Sequence, residues 1–183
     1  VTGLLGSDAV SGATLNYSGT TAGNLATAVV GSYTITPSDL TLSVGSISNY
    51  TISYVTATLT VNSKALTITG ISIENKTYNG NTTATITGTA AYSGLVNSES
   101  FSVIGTPSAS FANANVGTAK AVTVSGYSAP SSNYSITQPT GFTANITTAS
   151  LIVAASAQSK TFGTTVSATG TLNTNFTVSG LQG

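Results

Sequence analysis

The stretch Asn49-Tyr-Thr-Ile-Ser-Tyr-Val-Thr-Ala-Thr-Leu-Thr-Val61 decides the fold class. Tyr50, Ile52 and Tyr54 share one parity, with Thr51 and Ser53 between them. Leu59 and Val61 continue on the other parity, which calls for a turn or bulge near Thr56. Period two in Thr, Val, Ile and Tyr is the signature of a half-buried strand. Working outward, Tyr33-Thr-Ile, Leu40-Thr-Leu-Ser-Val, Ala121-Val-Thr-Val and Phe142-Thr-Ala-Asn-Ile repeat it. Leu66 and Ile68, then Ile71 and Ile73, predict a short strand pair broken at Gly70. Asn79-Gly80 predicts a hairpin, since a type I′ turn needs positive φ at both central residues. Pro37-Ser-Asp, Gly105-Thr-Pro and Ala129-Pro-Ser-Ser-Asn predict loops. Only Ala22–Val30 offers a short helix, and Gly23 with its β-branched neighbours opposes it. The expectation is an all-β chain of small modules, each with about seven short antiparallel strands in a β-sandwich (Ig-like) or β-grasp-like arrangement.

The chain also repeats itself. Asn49-Tyr-Thr-Ile-Ser returns 84 residues on as Asn133-Tyr-Ser-Ile-Thr. Ala65-Leu-Thr-Ile-Thr returns as Ser150-Leu-Ile-Val-Ala, and Lys76-Thr-Tyr-Asn-Gly as Lys160-Thr-Phe-Gly. A third marker occurs three times, as Val1-Thr-Gly-Leu-Leu-Gly-Ser-Asp, Tyr92-Ser-Gly-Leu-Val-Asn-Ser-Glu and Val178-Ser-Gly-Leu-Gln-Gly. A period this long exceeds the repeats of about 50 residues found in solenoids and suits a tandem array of small domains. In that register 64–150 is one complete module. Residues 1–63 read as the C-terminal part of a preceding module and 151–183 as the N-terminal part of a following one. The sequence thus reads as a window on a longer array, with strand edges at both cut ends that a neighbour or a second copy would complete.

Composition narrows the function. The chain of 183 residues has four basic and four acidic side chains, no His and no Cys. Four scattered lysines cannot build the basic stripe that nucleic acid requires. No basic amphipathic helix and no apolar run near ~18 residues is present, so neither membrane-surface binding nor insertion is expected. No targeting signal is recognisable at residue 1. Without cysteine there is no disulfide or thiolate zinc site. A neutral, Thr/Ser/Asn-rich β surface is an aggregation hazard unless something covers it.

Catalysis lacks its usual groups, since a general base from His and a thiolate nucleophile are both missing. Asp8, Asp39, Glu74 and Glu99 are dispersed, and Asp8 and Glu99 occupy one repeat position; they read as solvated loop acids rather than a glycosidase pair. Calcium, which draws on clustered carboxylates, is not expected either. No catalytic, cofactor or metal site follows. Glu74, Asn75 and the recurring Lys76/Lys160 supply the residue types of an intramolecular isopeptide crosslink. They are adjacent, however, and the plainer reading is a lysine that discourages edge pairing. Tyr50/Tyr134 and Tyr78/Phe162 are repeat-locked aromatics, which read as core with a phenol reaching a backbone partner. Asn16, Asn49, Asn75, Asn81, Asn133, Asn145 and Asn175 open Asn-x-Ser/Thr triplets and are the glycosylation acceptors the sequence offers. Asn49 and Asn133 precede a repeated Tyr, which suggests turn chemistry there.

Lys76-Thr-Tyr-Asn-Gly-Asn-Thr-Thr-Ala, Ser110-Phe-Ala-Asn-Ala-Asn-Val-Gly-Thr-Ala-Lys and Asn133-Tyr-Ser-Ile-Thr-Gln-Pro-Thr-Gly-Phe-Thr-Ala-Asn-Ile-Thr resemble the YDG-type repeat of large bacterial surface adhesins. Ser159-Lys-Thr-Phe-Gly and Phe176-Thr-Val-Ser-Gly-Leu, with Gly31-Ser-Tyr-Thr-Ile-Thr and Asn49-Tyr-Thr-Ile-Ser, resemble the MBG repeat of the YGX type. Asn79 stands where the first family has Asp, and Phe162 where the second has Tyr. The resemblance implies a passive stalk module of a secreted, filamentous-haemagglutinin-like protein at the bacterial surface, without catalytic residues. The leading expectation is a spacer whose partners are neighbouring modules. The alternatives are a module that binds host or cell-surface glycans and a filament subunit that polymerises by strand exchange.

Overall fold

The computed structural model describes residues 3–182. Val1, Thr2 and Gly183, the outer residues of the first and third markers, lie outside the described residues. Among the described residues thirteen strands follow one another: β1 Ala9–Tyr17, β2 Gly31–Val44, β3 Ala57–Val61, β4 Lys64–Ile73, β5 Lys76–Thr77, β6 Thr83–Ala84, β7 Ile86–Ser93, β8 Ile104–Phe111, β9 Gly117–Ser128, β10 Tyr134–Thr137, β11 Phe142–Thr147, β12 Ile152–Ala155 and β13 Phe176–Ser179. The single helical element among the described residues is a 3-10 turn at Ile47–Asn49. The chain is all-β, as alternation demands. No helix among the described residues is long and apolar enough to cross a membrane.

The chain forms two compact units. The first comprises the described residues up to Leu66 with Tyr92–Ser102 and Ser128–Thr137. Its sheet runs β1-β2-β3, antiparallel throughout. Tyr33 of β2, Leu66 of β4 and Tyr134 of β10 are the buried large side chains of this unit. Gly23 stands where any Cβ would meet the Tyr33 ring at 2.4 Å, so Ala22–Val30 becomes two successive turns (Leu25 N–H to Ala22 O, Ala28 N–H to Leu25 O) instead of a helix.

The second unit comprises Thr67–Ala91, Val103–Tyr127 and the described residues from Gln138 onward. Its main sheet has the order β5-β11-β9-β8-β6. Ala84, Ala109, Phe111, Val122, Val124, Ala144 and Ile146 are buried there. Three of these are alanines, so the core is thin. β5 pairs with β11 in parallel, Lys76 opposite Ile146, which corrects the expectation of purely antiparallel strands. β12 and β13 form a separate antiparallel ribbon.

Several sequence expectations fail locally, each for a physical reason. Pro37-Ser-Asp39 does not end a strand: β2 continues through it, with Pro37 opposite Leu15 and Asp39 at φ 49 absorbing the irregularity. Gly105-Thr-Pro107 likewise lies inside β8; β6 reaches only Ser110 and Ala109 of that strand, which leaves room for a residue without an N–H. Gly70 does not break β4 into two strands. At φ 78 it stays inside the strand, with Leu66 and Ile68 buried before it and Ile71 and Ile73 half-buried after it. Tyr50–Tyr54 is not a strand. Its two phenols accept the N–H groups of Leu5 (3.1 Å) and Leu40 (3.0 Å), so side chains take the bonds a ladder would have supplied.

Asn79-Gly80 is not a hairpin either. Only Gly80 has positive φ, and β5 and β6, which it joins, lie at opposite edges of the five-stranded sheet. Four strand spacings of about 4.8 Å would put those edges about 19 Å apart in a flat sheet. Yet the Lys76 ammonium on β5 donates to Thr83 O on β6 at 3.0 Å, and to Asn81 O and Oδ1 at 2.7 and 2.9 Å. The sheet must therefore curl until one lysine clasps both edges.

Candidate functional site

Two tyrosines, at the same repeat position, organise the polar chemistry of the first unit. The buried Tyr134 phenol donates to Glu99 Oε2 and accepts the Val96 N–H at 3.2 Å. Glu99 N–H closes the turn on Val96 O at 3.0 Å. Asn97 and Ser98, the central residues, both have positive φ, so the primed turn of this chain lies here. Phe101 meets the Tyr134 ring edge-on at 6.3 Å. Tyr50 repeats the device: its phenol donates to Asp8 Oδ2 at 2.7 Å and accepts the Leu5 N–H at 3.1 Å, while Asp8 N–H bonds Leu5 O at 3.2 Å. Each tyrosine thus ties a marker turn to a segment some 40 residues away in sequence.

The acids were expected to be solvated, and the tyrosines to be core with a phenol reaching a backbone partner, which the Leu5 and Val96 N–H groups supply. What the structure corrects is the acids, since Asp8 and Glu99 are paired with the same phenols. The signal was present, since Leu5/Val96, Asp8/Glu99 and Tyr50/Tyr134 each recur at repeat positions. Of the other repeat-locked aromatics, Tyr78 is half-buried, but Phe162 is fully exposed, against the expectation of core.

The hydrogen bonds to Asp8 and Glu99 raise both phenol pKa values above the ordinary value near 10. The neutral phenol is the form the fold favours, so its contribution is complete below pH 10 and fades as pH rises through the folded value. The urea midpoint is expected to fall as pH rises above 10, and to fall less in the Tyr50→Phe/Tyr134→Phe protein. An identical pH profile in both proteins would contradict this.

Beside Tyr134 is a cavity of about 340 Å³ lined by Ala26–Ala28, Val30, Asn62, Lys64, Asn97, Glu99 and Asn133, among others. Its polar rim is engaged with the loop that borders it. Asn97 Nδ2 donates to Ala26 O at 3.1 Å, and the Val30 N–H donates to Asn133 Oδ1 at 2.9 Å.

In the second unit the Lys76 clasp is completed by the Phe111 ring, 5.7 Å from the ammonium. Asn81 Oδ1 also accepts the Thr83 N–H at 3.1 Å. Lys76 is therefore an edge lysine turned back on its own sheet; its amide neighbour is Asn81, not Asn75, whose Oδ1 accepts the Asn145 N–H at 2.6 Å. Lys160, its repeat partner, is exposed and reaches only Thr164 O at 3.4 Å. Lys76→Met is expected to cost about 2 kcal/mol by urea denaturation, since charge-assisted bonds to three acceptors are lost at a partly exposed site. Lys76→Arg should not restore it, because a planar fork cannot replace a compact three-donor head.

Most of the Asn-x-Ser/Thr asparagines hold local structure. Asn16 Nδ2 donates to Thr36 O and Ser38 Oγ across β1 and β2. Asn145, at the β11 irregularity, accepts the N–H of Ala119, whose φ is 47. Asn175 Oδ1 accepts the Thr171 N–H at 2.7 Å. Asn75, Asn81 and Asn133 act as above. Asn49 lies exposed at the end of the 3-10 turn. Asp39 accepts the Ser38 hydroxyl, and Glu74 is exposed. No group of three His, Cys, Asp or Glu side chains gathers among the described residues.

No curated protein and no solved structure matches the chain. Family comparison matches residues 1–60 to the MBG domain of the YGX type and residues 62–141 to the YDG domain. The tyrosine-held turn occurs once in each matched stretch. Residues 1–60 thus belong to the MBG family and residues 62–141 to the YDG family, two repeat-type modules in tandem.

Proposed function

We propose that these modules serve as a spacer in the stalk of a secreted or cell-surface bacterial adhesin, without chemistry of their own. The observation that carries this reading is where the repeated polar residues are used. Asp8, Glu99, Tyr50, Tyr134 and Lys76 each hold a turn or a sheet edge of their own module. A stalk needs that outcome, whereas a catalytic or receptor site would leave such groups converging on open space. Single-molecule pulling tests it: each module should resist extension and refold on release. Easy extension without discrete unfolding events would sink the reading.

A second reading, glycan binding, draws on the cavity beside Tyr134, where Asn62, Lys64, Asn97 and Asn133 meet an aromatic side chain. A glycan array is expected to give no specific binding. Specific binding lost on Asn97→Ala would put this reading first.

A further inference from the structure

The Asn79-Gly80 pair, which does not form the hairpin its sequence suggests, is placed for a different chemistry. Asn79 is the one asparagine of the chain that precedes glycine. Both residues are exposed, in the loop between β5 and β6. Asn79 Oδ1 accepts the Asn81 N–H at 3.4 Å. A side chain closed in this way on the backbone two residues ahead carries its amide carbon beside the intervening nitrogen, here that of Gly80. Glycine has no Cβ to crowd that approach, and Gly80 sits at φ 80. Among the described residues its N–H meets no acceptor, so the nitrogen gives up no hydrogen bond on reacting. Positive charge is also at hand. The Lys76 ammonium is bonded to Asn81 O and Oδ1 at 2.7 and 2.9 Å, on the residue that follows Gly80.

We propose that Asn79 is a self-modification site, converted in the folded protein to aspartate and isoaspartate with water as the only co-reactant. Solvent hydroxide takes the Gly80 amide proton, and the nitrogen attacks Asn79 Cγ. The N–Cγ bond forms, the Cγ–Nδ2 bond breaks, and Nδ2 leaves as ammonia with a proton from water, which restores the hydroxide. The product is a five-membered imide, closed within a single residue pair and so favoured by proximity. Water then opens it at Cγ to give aspartate. Opening at the Asn79 main-chain carbonyl carbon gives isoaspartate instead, whose backbone runs through the former side chain. One water is consumed, one ammonia is released, and nothing is oxidised or reduced. Lys76 favours both the anionic nitrogen and the new carboxylate, modestly at so exposed a site.

The new carboxylate unbalances a chain with four basic and four acidic side chains. It arises on the loop that Lys76 clasps, and isoaspartate lengthens that loop by a methylene group. The inference goes beyond the spacer reading and needs only this loop, so neither stands or falls with the other.

To test it, the full-length chain is aged in mildly alkaline buffer made with oxygen-18 water. Fragmentation mass spectrometry locates each new acid, and chromatography separates isoaspartate from aspartate. Asn79 is expected to convert about tenfold faster than Asn62 or Asn97, which precede serine, because glycine alone leaves the nitrogen unhindered. Its product should carry one heavy oxygen. Unfolding the chain in urea should speed conversion by less than about tenfold, since the folded loop is already open to solvent. Gly80→Ala should slow the reaction about tenfold by crowding the nitrogen. Asn79→Gln, which would have to close a larger ring, should stop it at this position and covers the case in which Gly80→Ala disturbs the loop. Conversion at Asn62 or Asn97 as fast as at Asn79 would overturn the proposal, and so would stronger protection by folding than that.

Discussion

Gly70→Ala is expected to destabilise the second unit by about 3–5 kcal/mol, a combination of left-handed strain and overpacking. At φ 78 an added Cβ would sit 2.2 Å from Thr89 O, and backbone cannot swing aside as a side chain can. Gly88 approaches reciprocally, its Cβ direction 2.3 Å from Gly70 O, so β4 and β7 meet glycine to glycine. Gly141 is the control. Its φ is 82, but it faces open space, so Gly141→Ala should cost only about 1 kcal/mol. Urea denaturation of the two variants separates close approach from backbone strain. Equal losses would show that the approach counts for nothing.

Leu66→Ala is expected to cost about 3–5 kcal/mol, the range for a fully buried leucine whose surroundings cannot collapse. Leu151→Ala, at the same repeat position, should cost under about 0.5 kcal/mol in dilute solution, because surface truncations rarely cost more. A loss above about 1 kcal/mol at Leu151 that grows with protein concentration would report self-association.

Strand class and most strand positions were legible, because alternation in β9, β11 and β3 survives tertiary packing. What failed was punctuation. Pro37 and Pro107 read as loops because proline lacks an N–H, but sequence does not tell which side of a strand is left unpaired. Gly70 read as a break because the parity changes there, yet the strand continues through it with Gly70 at φ 78. Asn79-Gly80 carried the strongest local hairpin signal and lost to Lys76, whose three acceptors fix the loop in another shape. The carboxylates and tyrosines were noticed separately. Their pairing needed the distance between marker and repeat in space, which periodicity in one dimension does not supply.

The parallel pairing of β5 with β11 joins Lys76 to Ile146, 70 residues further along. Synthesis proceeds from the N-terminus, so this edge has no partner until the chain has been made past Thr147. Contacts of such long sequence separation also form slowly. Throughout that interval Lys76 can already gather Asn81 and Thr83, since they are only a few residues away, but the curled sheet has nothing to close on. The module therefore completes itself late, and its last strand acts as the latch. A nascent chain stalled before residue 142 should stay open to proteases, and one released beyond residue 150 should become resistant.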